Sequence, residues 1–121
     1  MDPEQFRSVA LSMPDAHEGA HMQHPDFRAN GRIFATLHGD GEWGMVKLAP
    51  PEQARLVAAH PGAFVPANGA WGRQGCTNVR LAAVDRAVLR DAMTLAWQGA
   101  MQATARRATR AARAPRGPRR R

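Results

Sequence analysis

His24-Pro25-Asp26-Phe27-Arg28-Ala29-Asn30-Gly31-Arg32-Ile33-Phe34-Ala35-Thr36-Leu37 is the stretch that decides the fold. Asn30-Gly31 is a strong hairpin signal, because a type I′ turn needs positive φ at both central residues. It joins a strand over residues 26–29 to one over 32–37, where Ile33, Ala35 and Leu37 alternate with Arg32, Phe34 and Thr36. Downstream, His38-Gly39-Asp40-Gly41 makes the next turn. Residues 43–48 then read as a strand with Val46 and Leu48 on one face and Trp43, Met45 and Lys47 on the other. The result is an antiparallel meander.

Helical signals flank it. Asp2-Pro3-Glu4-Gln5 supplies a carboxylate cap, a proline where the missing N–H costs nothing, and a glutamine at the third helical position. Phe6, Val9, Ala10 and Met13 follow as one apolar stripe that Pro14 ends. Pro50-Pro51-Glu52 opens a second helix through His60, with Gln53, Leu56, Val57 and His60 on one side, and Pro61-Gly62 stops it. Residues 63–75 are rich in Gly, Pro and Asn, and Phe64, Val65 and Trp71 are the anchors expected to hold them down. Residues 77–81 read as a last strand. Asp85 caps a third helix with Val88, Leu89, Ala92, Leu95 and Ala96 as its stripe. This order favours an α+β fold of two layers, an antiparallel sheet with helices packed on one face.

The 121 residues make one domain by size. Such a chain buries roughly 60–70% of its unfolded surface, enough for a core without staples. Cys76 is the only cysteine, so an internal disulfide and a Cys-based zinc cluster are excluded. The acidic, polar start and the lack of an apolar run near the roughly 18–20 residues of a membrane span make the cytoplasm the expected location. The net charge of +7 conceals a partition. All ten acidic residues precede residue 106, with nine basic ones among them, a net of −1; the last sixteen residues carry eight arginines and no acid. Residues 1–104 are therefore expected to form the α+β domain, and 105–121 an Arg-rich tail, helical at first and disordered beyond Pro115.

His17-Glu18-Gly19-Ala20-His21 matches the HExxH pattern of zinc peptidases, with His24 as a further imidazole. That chemistry needs a helix, so that two imidazoles four apart meet one metal. Trapped between Pro14 and Pro25, with Gly19 inside, the segment reads better as an edge strand. His38 in a turn and His60 at a helix end add no partner. Cys76 has no nearby base to make it a nucleophile and reads as a half-buried structural residue. Trp71-Gly72-Arg73-Gln74-Gly75 matches neither a phosphate-binding loop nor a dinucleotide fingerprint. The expectation is a protein that is not an enzyme and has no cofactor or metal.

Several stretches resemble the MmcQ/YjbR family of small bacterial proteins. They are Phe6-Arg7, Leu11-Ser12-Met13-Pro14, Glu18-Gly19, the run from His24 to Arg28, and Gly31 to Leu37. Lys47-Leu48, Pro51-Glu52-Gln53, Gly69-Ala70-Trp71-Gly72-Arg73, Gly75 before Thr77, and Asp85 with Leu89 and Ala96-Trp97 continue it in order. The resemblance runs over residues 4–97 and leaves the tail outside. It implies a strongly curved antiparallel sheet with helices on one side, of double-wing type, in which a concave sheet and two hairpin wings saddle a DNA duplex. It brings no catalytic residues.

Two routes to nucleic acid follow. Arg106, Arg110 and Arg113 lie at i, i+4, i+7, so a continued third helix would align them, with Arg107 beside them; guanidinium forks match phosphate oxygens and release condensed counterions. In the folded part, Arg28 and Arg32 flank the hairpin tip, and Lys47, Arg73 and Arg80 lie in or beside other strands. Should these share the open sheet face, they would position phosphates while Trp71 lies along a sugar or base. The expected function is a monomeric DNA-binding protein of low sequence specificity, with nucleic acid and not membrane as its partner. The alternative is a protein-interaction or small-ligand-binding module with an unrelated basic tail. Its mark would be an apolar concavity involving Trp43, Trp71 and Phe64.

Overall fold

The computed structural model describes the backbone of residues 1–21 and 24–113 and the side chains of 1–20 and 24–102. The elements are α1 (Pro3–Leu11), β1 (His17–His21), β2 (His24–Ala29), β3 (Arg32–Leu37), β4 (Trp43–Lys47), α2 (Pro50–Ala59), β5 (Phe64–Pro66), α3 (Gly69–Arg73), β6 (Cys76–Arg80) and α4 (Arg86–Arg113). The strands form one open antiparallel sheet in the order β1-β2-β3-β4-β6-β5. The α+β, two-layer reading holds.

Local chemistry explains the element ends. Asp2 Oδ1 accepts the Gln5 N–H at 2.9 Å, and Gln5 Oε1 accepts the Asp2 N–H at 2.8 Å, a closed capping box. Asp85 Oδ1 takes the Ala87 and Val88 N–H groups and starts α4. Asn30 and Gly31 hold φ of +58° and +73°, as the type I′ turn demands. Asn30 also donates through Nδ2 to the carbonyls of Ala100 and Met101, both at 3.2 Å, so the hairpin tip is fastened to α4.

The core lies between the sheet and α1, α2 and α4. Phe6, Val9 and Ala10 of α1 are buried, as are Leu89, Ala92, Met93, Ala96 and Ala100 of α4. They meet Phe27, Ala35, Leu37, Val46, Phe64 and Val79 of the sheet. Burying these large side chains is the dominant stabilising term.

The strict alternation expected in β3 is corrected. Phe27 pairs with Ala35, but Arg28 pairs with Ile33, so Phe34 is the extra residue of a bulge. Phe34 and Ala35 are both fully buried, while Ile33 swings to the face opposite the one expected for it. The Gly/Pro-rich stretch is also more ordered than its composition suggests, since it holds both β5 and α3. Of its three expected anchors only Phe64 is buried. Val65 is 40% and Trp71 69% exposed, so neither anchors anything. Gln53 does that work: its Nε2 donates to Gly72 O and Cys76 O at 3.0 Å and lies 3.1 Å from Thr77 Oγ1, tying α2, α3 and β6 together.

Candidate nucleic-acid interface

Register decides which side chains reach the open face. Ala35, Val46, Thr77 and Val79 point to the helices. The opposite face carries Asp26, Thr36, Met45, Asn78 and Val65, successive Cα partners from β2 to β5. Arg28, Ile33 and Lys47 lie toward one end of this row, Trp43 and Arg80 toward the other.

The charges there are unequal. Arg28 grips Asp26 with both arms, Nε to Oδ1 at 2.8 Å and Nη2 to Oδ2 at 3.0 Å, over a carboxylate that is fully buried. Donating these hydrogen bonds to Asp26 raises the Arg28 pKa further above its ordinary value, with their opposite charges adding to it. Arg28 is thus half-exposed and electrically answered from beneath. Arg80 is exposed and stacks its Cζ 4.4 Å from the Trp43 ring centroid. Lys47 is exposed at the end of β4. Neither Lys47 nor Arg80 has an ion-pair partner among the described residues.

The other expected positions scatter. Arg32 turns at the hairpin end into a cleft against α4, where Lys47 also reaches. Trp71 and Arg73 ride on α3, off the strands. The expected concavity of Trp43, Trp71 and Phe64 does not form, because Phe64 faces the core, Trp43 the open face and Trp71 solvent. Arg106, Arg107, Arg110 and Arg113 belong to α4, whose helix runs through Arg113, but their side chains lie outside the described set. Residues 114–121 lie outside it altogether.

The edge-strand reading of the HExxH segment holds. The HExxH segment is strand β1, which sets His17 and His21 roughly 13 Å apart along the chain, too far to share one metal. Its Glu18 binds Arg7 of α1 instead, at 2.9 Å. His38 has its ring centroid 6.4 Å from that of His24, and the His60 ring lies 6.1 Å from Phe64. Cys76 is buried and its thiol pKa is pushed up by that burial, with Lys47 pulling weakly the other way. A raised thiol is a poor nucleophile at neutral pH.

The residue missed by sequence reading is Trp43. It was assigned the outward face of β4, but its cationic partner is 37 positions away and becomes visible only through the β4–β6 register, where Trp43 and Arg80 are Cα partners.

An open antiparallel sheet, backed on one side by three helices and carrying a mixed polar and aromatic face on the other, defines a small α+β sheet-surface protein. The chain belongs to the YjbR family, whose profile matches residues 11–99. It is similar in fold to the Deinococcus radiodurans protein DR2400, a crystal structure with a DUF419 domain. The TM-score is 0.61 at 19% identity, over 74% of this chain and 71% of that one. No functionally curated protein matches the chain significantly. No helix among the described residues is long and apolar enough to cross a membrane.

Proposed function

We propose that the protein is a non-enzymatic DNA-binding protein of low sequence specificity, held mainly by its C-terminal arginines and secondarily by the open sheet face. The observation that carries this reading is the charge partition: eight arginines without one acid follow a body of net charge −1. Helix α4 continues through Arg113, so Arg106, Arg110 and Arg113 fall at helical spacing. Guanidinium groups in such a row suit the regular phosphates of a backbone and read no bases. On the sheet, the Trp43–Arg80 stack offers an aromatic surface beside a cation, the combination that supports sugars or unstacked bases.

Fluorescence anisotropy with a labelled duplex tests the idea, on full-length protein and on a chain ended after Ala105. Six to eight phosphate contacts give a slope of log affinity against log salt of roughly −5 to −7. The shortened chain is expected to lose most of that slope. Absence of binding by either chain at low salt removes the proposal, and equal binding by both moves it from the tail to the sheet.

A further inference from the structure

We propose that the cleft between the β2–β3 hairpin tip, the β4–α2 junction and α4 is a binding site for a small anion with a flat apolar body, such as an aromatic carboxylate, sulfonate or phosphate ester. This site shares Lys47 with one end of the open sheet face but does not depend on nucleic-acid binding.

The cleft has a volume of about 420 Å³, within the roughly 300–1,000 Å³ usual for small-ligand sites. Ile33, Leu48 and Leu95 contribute apolar atoms to its lining, beside the polar Gln74, Gln98 and Gln102. Arg32 and Lys47 bring two cations to it from neighbouring strands, and neither is ion-paired among the described residues. One acid, Glu52, stands at the rim, but its Oε1 already accepts the Ala49 N–H at 3.2 Å. The local charge balance is therefore positive beside a mixed polar and apolar lining, which suits an amphipathic anion. The walls are set in advance, because Asn30 ties the hairpin tip to the Ala100 and Met101 carbonyls.

Gly99 is the second, independent observation. It sits inside α4, where glycine is a poor helix former, yet a Cβ there would meet nothing within 4 Å. Close packing therefore does not explain the glycine. It lines the cleft, and the missing side chain is part of the space.

The probe is 8-anilinonaphthalene-1-sulfonate, titrated by fluorescence into the full chain. Saturable binding is expected, weakened about tenfold or more by Arg32→Gln, as for loss of one charge-assisted contact. Gly99→Leu should abolish it while leaving the circular dichroism and melting temperature equal to or above those of the parent, since leucine favours the helix. Probe held by tail arginines would ignore Gly99→Leu. Binding that survives both substitutions, or no saturable binding to the parent chain, overturns the proposal.

Discussion

Gly75 holds φ at +110°, and a Cβ on it would overlap the Leu48 carbonyl oxygen. Both facts forbid a side chain, so Gly75→Ala should cost at least about 3 kcal/mol in urea unfolding. A smaller loss would mean that the β4–α2 junction can shift. Asp40 illustrates a gentler constraint. Its Oδ1 accepts the N–H of Glu42 at 2.8 Å and of Trp43 at 3.2 Å, and these bonds, Glu42 first, hold its pKa below the usual carboxylate value. A depressed folded-state pKa contributes stability above the unfolded-state value, and that contribution disappears as pH falls through the folded-state value. Asp40→Asn should therefore melt below the parent at pH 7, with the gap closing on acidification toward pH 3. A gap that is constant with pH would separate the turn from its carboxylate. At this scale the sequence was legible wherever a residue acts on its own neighbours, as at Asp2, Asn30 and Asp85. It was illegible for Arg28, whose charge looks available until Asp26 is seen beneath it.

Elements were readable in proportion to their length and regularity. The helices and the β2–β3 hairpin announce themselves through caps, stripes and a turn dipeptide. Strand β5 has three residues and α3 has five, too few to show a period. Trp71 reads as an anchor because large aromatics usually are; of the expected anchors only the smaller Phe64, opposite Val79, is buried. The bulge at Phe34 inverts the inside and outside of β3 ahead of it, at Ile33, and no local signal marks an extra residue in an apolar run. What joins the short elements is polar. Replacing Gln53 with leucine puts an apolar side chain of similar size in its place but removes one donor each from Thr77 and from the Gly72 and Cys76 carbonyls, which keep the Gly75 and Ala67 N–H groups. The loss expected is about 1–3 kcal/mol by chemical denaturation. An unchanged midpoint would show that water takes over those bonds.

For the whole molecule, packing and charge end at different places. The last buried side chain described in α4 is Ala100, with Met101 partly covered, whereas the arginine run begins at Arg106. A chain ended after Ala105 should keep a cooperative melt within a few degrees of the parent, as removal of surface residues does. A large drop would show that the tail helps to hold the fold. The net charge of each part was legible from counting alone; the distribution over the sheet was not, because it depends on pairings between strands far apart in the chain. The Asp26–Arg28 clasp has a consequence for that distribution. A guanidinium already chelated by its own carboxylate has no small ions gathered around it to give back to the solvent. On that side the sheet carries a built-in counterion, and a polyanion arriving there finds one salt already formed, leaving Lys47 and Arg80 as the positions of that face where an exchange of partners can still occur.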